Sequence, residues 1–351
     1  MIPIENSKKK VVAFHITWTD GKGSYPARRA AVLAESISQQ ADVLFIVGEN
    51  SPAPPEECKA IQIGKNTNLL QTLHLLKPDL LIRDTGSTVA EEVEKIREIV
   101  PSILHFDDFG DGGLQADFVL QTLLEDANDG YADHYIVDRQ LFIADPAIRT
   151  YEKAGLTKPK PGPLPHLVIS FGEEDEVNLS YRALRHVSQL HIPLKVTLVI
   201  GERYAHDIST LKMMALGRRN TFVQQAPYHL PDIFSTADII LCGSGYTPYE
   251  IAVMGIPCIV LSQNDFELGL AFPKEHHGFS HLGLGRKVKQ SNLLNAIMEP
   301  LLHESLRKRS IDRQLALNLG NGKDKVLETI LYLLEYPKRG ASGKALTDML
   351  H

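Results

Sequence analysis

The sequence predicts an α/β protein built from two doubly wound halves, and three observations carry that prediction. Short runs that are apolar nearly throughout alternate with stretches of helical period, the pattern of a parallel sheet covered on both faces. The alternation breaks at residues 151–165, YEKAGLTKPKPGPLP, where four prolines and two glycines prevent regular structure from running through. At 351 residues the chain is long for one core, so two domains are expected.

The first half reads VVAFHIT (11–17), a glycine-containing loop, a helix over 26–40, and VLFIV (43–47). A proline-rich polar loop, a short IQI run and a helix over 67–76 follow, then DLLIRD (79–84), a helix over 88–100 and SILHFDD (102–108). Beyond the proline-rich stretch the second half reads LVISF (167–171), a helix over 177–189, KVTLVIG (195–201), a helix over 208–216 and TFVQQ (221–225). From Ser291 onward the tail is helical, with amphipathic LLNAIMEPLL and DKVLETILYLLEY. The expected division is therefore 1–150, a linker at 151–165, and 166–351 with the C-terminal helices in the second domain.

Composition narrows the function. With 43% hydrophobic and 23% charged residues the chain is an ordinary globular protein. A net charge of −6 argues against a nucleic-acid partner, and no apolar run approaches the roughly 18–20 residues of a membrane span. Cys58, Cys242 and Cys258 show no metal spacing and read as reduced thiols, so a cytoplasmic location is expected.

The most informative segment runs from Thr236 to Asn264: an apolar run DIILC (238–242), the turn Gly243-Ser244-Gly245, a helix over 246–254, and a second run CIVLS (258–262). Glycines between a strand and a helix expose backbone N–H groups, and the helix N-terminus adds a partial positive charge, so a phosphate fits there. The same residues also read structurally, because Thr247-Pro248-Tyr249-Glu250 is a capping box with proline at the first helical position.

This segment resembles the donor-nucleotide signature of GT-B glycosyltransferases, most of all the lipid-II-forming N-acetylglucosaminyltransferase and the UDP-sugar hydrolase of the pseudaminic acid pathway. The resemblance implies a GT-B-like fold, two Rossmann-type doubly wound domains facing a cleft. It also implies that Gly243, Ser244 and Gly245 meet a diphosphate, that Glu250 holds ribose hydroxyls, and that Gly172, Tyr246, Thr247, Gln263 and Asn264 complete the nucleotide site. Ser170-Phe171-Gly172 matches the family's Ser-Phe-Gly-Gly-x-Asp, with Glu173 where the second glycine is expected; a carboxylate there opposes a diphosphate.

In the first half, the loop Thr17–Arg29 corresponds to the hydrolase's catalytic loop. Gly21 and Gly23 match its glycines and Arg28 or Arg29 its arginine, with Ser24 in the same substrate loop, but Tyr25 or Pro26 stands where the catalytic histidine is expected. Asp20 or His15 is then the candidate base; Asp20 equally reads as a turn residue and His15 as a core histidine. Asp107 and Asp108 resemble the family's Asp-Asp-x-Gly turn, either as carboxylates able to hold Mg²⁺ or as ordinary turn residues. Arg139 lies in a segment resembling the one that closes the family's first domain. The expectation is a nucleotide-sugar-dependent glycosyltransferase or UDP-sugar hydrolase of surface-glycan or nonulosonic-acid biosynthesis. It takes a UDP-sugar and, for transfer, a sugar or glycan acceptor, with no cofactor or metal required. The alternatives are a catalytically silent nucleotide-sugar-binding protein and, behind it, a dinucleotide enzyme. The latter is disfavoured because Gly-x-Gly-x-x-Gly is absent from both first strand–helix turns.

Overall fold

The structure, a computed structural model, describes residues 9–17, 24–48, 51, 58–64, 68–124, 132–151, 164–227, 229–270 and 272–337. These fall into two compact units: residues up to Ile143 together with those from Gly322 onward, and Ala144–Asn321.

The first unit is a seven-stranded, all-parallel sheet of β1 (Lys10–Ile16), β2 (Ala41–Val47), β3 (Lys59–Gln62), β4 (Leu80–Asp84), β5 (Ser102–Phe106), β6 (Phe118–Gln121) and β7 (Tyr135–Val137). Their order is β3-β2-β1-β4-β5-β6-β7, so the winding reverses between β1 and β4. Period-2 alternation in each strand feeds two cores. Val12, Phe14, Ile82, Leu104 and Phe118 point to one face. Ala13, Leu81, Ile103 and Val119 point to the other, where they meet Leu73 of α2 (Leu69–Leu76) and Val93 and Ile96 of α3 (Ala90–Arg97). On the first face α1 (Tyr25–Ile37) contributes Ala30, Leu33, Ala34 and Ile37.

The second unit opens with α4 (Pro146–Arg149) and a six-stranded parallel sheet: β8 (His166–Ser170), β9 (Lys195–Ile200), β10 (Thr221–Gln225), β11 (Ile239–Cys242), β12 (Cys258–Ser262) and β13 (Phe279–Leu284), in the order β10-β9-β8-β11-β12-β13. Its winding reverses between β8 and β11. The helices are α5 (Leu179–Val187), α6 (Ile208–Leu216), α7 (Leu230–Ser235), α8 (Thr247–Met254), α9 (Asp265–Gly269), α10 (Gln290–Leu302) and α11 (Glu304–Ala316).

The last helix, α12 (Gly322–Glu335), departs from the expected division: it packs on the first unit. Val326, Ile330, Leu333 and Leu334 recur at helical spacing and close the core over β1, β4, β5 and β6. Lys325 pairs with Asp138 at 3.3 Å, and Gly322 is needed because a Cβ there would lie 2.3 Å from the Leu141 carbonyl carbon. A sequence pattern reports that a helix has an apolar stripe but not which sheet lacks a cover. Residues 152–163 of the expected linker lie outside the described residues.

Candidate functional site

In open α/β sheets ligands bind outside the carboxyl ends of the strands, where the winding reverses. In the second unit those ends carry Gly172 after β8, Gly243–Tyr246 after β11, and Gln263–Asn264 after β12, three loops on neighbouring strands.

The turn after β11 has a closed inner side. The Ser244 hydroxyl is fully buried, 2.7 Å from Ser262 Oγ, which in turn lies 2.8 Å from His281 Nε2. The Ser244 backbone N–H donates to Glu267 Oε2 at 3.3 Å, the same oxygen that accepts the Gln263 backbone N–H at 2.8 Å. Gln263 Nε2 bridges Glu267 Oε1 and the Phe171 carbonyl, each at 3.2 Å, so one side chain ties the β8 and β12 loops together. Burial raises the Glu267 carboxyl above its usual range, opposed by the N–H groups aimed at it.

The outer side is open. Gly245 and Thr247 are half-buried, and among the described residues the Gly245 N–H has no acceptor. Gly243 has no left-handed backbone, and a Cβ on it would meet Glu267 Oε2 only at 3.6 Å. The fold itself therefore does not require glycine at 243.

Several expectations are corrected here. Thr247 does not form the capping box: Tyr246 already takes helical dihedrals (φ −78, ψ −20) and flanks the helix with no side-chain cap, leaving Thr247 inside the first turn. Glu250 is 3% exposed and engaged within the protein. Asn264 caps α9, its Oδ1 accepting the Glu267 N–H at 2.9 Å. Glu173 does not stand against the turn, because its carboxylate accepts the Glu202 N–H at 3.1 Å. Gly172 takes φ +83, which only glycine adopts without strain. The neighbouring N-terminus of α5 is closed by Asp175, which accepts the Leu179 and Ser180 N–H groups at 2.7 Å each.

Glu267 is the functional residue that sequence reasoning passed over. Its signal was present as Asn264-x-x-Glu267, the capping spacing at the start of a helix. Its glutamate reaches Gln263 and Ser244, and the partner 23 residues away is what local spacing does not reveal.

In the first unit Asp20, Gly21 and Gly23 lie outside the described residues. Ser24 and Arg28 are half-buried at the start of α1, and Arg139 is half-buried on a short 3₁₀ turn, Arg139–Leu141. Arg29, Asp107 and Asp108 are interior, at 1%, 0% and 2% exposure, which corrects their placement as substrate contacts. Arg29 pairs with Asp84 at 2.6 Å and Asp107 at 3.0 Å. Tyr25 is enclosed as well, its hydroxyl exchanging hydrogen bonds with the Ile143 carbonyl (3.2 Å) and N–H (3.0 Å), and burial raises it far above the usual phenol range. His15 is 4% exposed, and burial followed by the charge of Arg83 holds its imidazole neutral, so it does not stand at a surface as a base.

Asp108 is a loop anchor. Thr88 donates from N (2.9 Å) and Oγ1 (2.5 Å), Gly110 from N (2.8 Å) and His105 from Nδ1 (2.6 Å). Burial alone would raise this carboxyl, but the His105 and Thr88 hydrogen bonds outweigh it and pull it from 3.8 to about 2. A depressed carboxyl stabilises the fold above its unfolded value and loses that contribution as pH falls through the folded one. Between pH 3.8 and about 2 the wild type is expected to lose on the order of 2 kcal/mol that Asp108→Asn does not lose, read by urea unfolding at stepped pH. Parallel acid limbs in the two proteins would remove Asp108 from this role.

No model of a known protein family matches the chain. In sequence it is 23% identical over 288 residues to the spore coat polysaccharide biosynthesis protein SpsG of Bacillus subtilis, covering 78% of this chain and 84% of that protein. It is 21% identical over 298 residues to an uncharacterised protein of Methanocaldococcus jannaschii, covering 82% of this chain but 58% of the archaeal protein, so it spans less than two thirds of that relative. Among solved structures, Acinetobacter baumannii MurG superposes with a TM-score of 0.61 at 18% identity, over 92% of this chain and 99% of that one. The UDP-GlcNAc 2-epimerase of Neisseria meningitidis, solved with UDP-GlcNAc bound, gives 0.57 at 13% over 92% and 100%. These likenesses establish the fold: the chain has the GT-B architecture of two Rossmann-type units. Among the described residues no helix is long and apolar enough to cross a membrane.

Proposed function

We propose that the chain is a nucleotide-sugar-dependent enzyme that breaks the anomeric C–O bond of a UDP-sugar, by transfer to a sugar or glycan acceptor or by hydrolysis, in surface-glycan or nonulosonic-acid biosynthesis. The observation that carries this reading is the turn after β11. It lies at the reversal of the second sheet, its inner N–H is closed by Glu267, and its outer N–H at Gly245, beside the start of α8, has no acceptor among the described residues. A departing diphosphate develops charge that N–H groups and a helix N-terminus stabilise without reorganising. Support also comes from the similarity to SpsG and from the epimerase with UDP-GlcNAc on the same fold.

In this proposal the Gly245 N–H meets the diphosphate, Gly243 and Ser244 form the turn behind it, and Gln263 offers a buried Oε1 that has no partner among the described residues. No metal is assigned, and Asp20 is the base or orienting group. UDP at a hundredfold excess over its dissociation constant is expected to stabilise the fold by about 2.7 kcal/mol, seen as a raised melting temperature. An unchanged melting temperature with millimolar UDP and UDP-N-acetylhexosamines sinks the nucleotide assignment. The enclosure of Tyr25 and His15 favours, as second reading, a silent nucleotide-sugar-binding protein. Stabilisation by UDP-sugars without UDP release, with water or with a panel of acceptors, would select it.

A further inference from the structure

The reversal point of the first sheet carries an unusual row of side chains. The register of β1, β4 and β5 sets His15 beside Arg83 and Arg83 beside His105. Register partners on parallel strands point to the same face, here the one that also carries Ala13, Leu81 and Ile103. Each of the three sits one residue before the end of its strand. All are buried, at 4%, 3% and 1% exposure.

Much of their hydrogen-bonding capacity is unused. Arg83 Nη2 holds both oxygens of Glu92 at 3.1 Å, and His105 Nδ1 holds Asp108 at 2.6 Å. Among the described residues Arg83 Nε and Nη1, His105 Nε2 and both ring nitrogens of His15 have no partner. Thr85 Oγ1, two residues beyond Arg83 and half-buried at the strand end, is unpartnered too and continues the row outward. An unsatisfied buried polar group is costly, and several side by side on neighbouring strands call for an occupant.

The chemistry of the row selects that occupant. A cation would face the fixed charge of the guanidinium between the two imidazoles, which excludes a histidine-bound metal. Two carboxylates already face the row: Glu92 is 43% exposed and so is partly screened by water, and Asp108 is occupied by hydrogen bonds from His105, Thr88 and Gly110. Arg83 offers two N–H-bearing atoms, His15 can turn an N–H toward the row, and Thr85 adds a hydroxyl, a donor set suited to an oxygen-bearing anion, while the one N–H of neutral His105 is held by Asp108. We propose that Arg83, His15 and Thr85 donate to an oxyanion site beneath the strand-end edge of the first unit, beside His105, taking a carboxylate or phosphate group. The group is either a free ion or a substituent of the second substrate, and this last assignment rests on the nucleotide-sugar reading above.

The test is thermal unfolding of the full chain at constant ionic strength, in chloride against phosphate and acetate, and with glucose 6-phosphate and glucuronate against glucose. Phosphate or acetate is expected to raise the melting temperature. A matching response to the sugar anions but not to glucose assigns the site to a substrate substituent, and a response to the small ions alone assigns it to a free anion. Both His15→Leu and Arg83→Met are expected to weaken the response at least about tenfold in half-saturating concentration, the scale of one hydrogen bond to a charged group. Should Arg83→Met fail to fold, His15→Leu carries the test, since the His15 side chain makes no hydrogen bond among the described residues. No anion response in the wild type, or one unchanged in His15→Leu, overturns the site. UDP is titrated into His15→Leu separately, so that loss of the nucleotide reading and loss of the anion site are told apart.

Discussion

Replacing Arg29 with methionine is expected to remove about 3–5 kcal/mol of unfolding free energy, the range seen when one partner of a buried ion pair is deleted. The guanidinium is 1% exposed and reaches two carboxylates at once, with Nε and Nη2 on Asp84 Oδ2 (3.0 and 2.6 Å) and Nη1 on Asp107 Oδ2 (3.0 Å). It lies 4.0 Å from the centre of the Phe106 ring and 5.0 Å from that of Tyr25. Methionine fills similar volume but leaves Asp84 and Asp107, at 3% and 0% exposure, without their cation. Asp107 also accepts the Thr122 N–H at 2.6 Å and the Leu123 N–H at 3.2 Å, so the loss extends to the loop after β6. Arg29→Lys is expected to restore only part of it, because an ammonium lacks the planar fork that spans both acceptors and stacks on Phe106. Urea unfolding reads the effect. A variant that loses less than about 1 kcal/mol while binding of sugar acceptors disappears would return Arg29 to the substrate.

The second large effect is expected at Glu267. Glu267→Met leaves the Ser244 and Gln263 N–H groups and Gln263 Nε2 without their common acceptor in a buried place, costing about 2–4 kcal/mol. Because that carboxylate fixes the turn proposed to meet the diphosphate, UDP affinity is expected to fall by roughly 10², the worth of one or two charge-assisted hydrogen bonds lost with the turn's geometry. Glu267→Gln keeps an acceptor oxygen and is expected to recover most of the stability and most of the affinity. Titration calorimetry with UDP on both variants separates the possibilities. If Glu267→Met loses stability but binds UDP as tightly as the wild type, the turn is structural only and the nucleotide lies elsewhere.

Much of the fold was readable because its signals are local. CIVLS at β12 is an almost wholly apolar run, TFVQQ at β10 opens on the β-branched and aromatic residues Thr221, Phe222 and Val223, and α6 follows Asp207, a side chain that caps two N–H groups. β6, β7 and β13 escaped notice for reasons equally local. The first two are four and three residues long, and β13 has a half-buried middle with His281 and a glycine at φ +85. The Gly243–Gly245 turn was legible as a strand–turn–helix unit, but whether its N–H groups are free was not, since the answer depends on Glu267 arriving from α9.

By itself the sequence determined the two α/β halves, the strand-end loops and the residue types gathered at the turn after β11, since strand period, helix period and glycine placement are properties of neighbouring residues. Only the tertiary structure decided which of those residues face solvent and which face each other. Arg29 meets acceptors 55 and 78 positions away, α12 returns to cover the first sheet, and parallel register lines up His15, Arg83 and His105. Burial turns a surface-looking arginine or aspartate into an interior brace, because an unpaired charge cannot stay in the core, and the pairing that keeps it there is written in no local pattern.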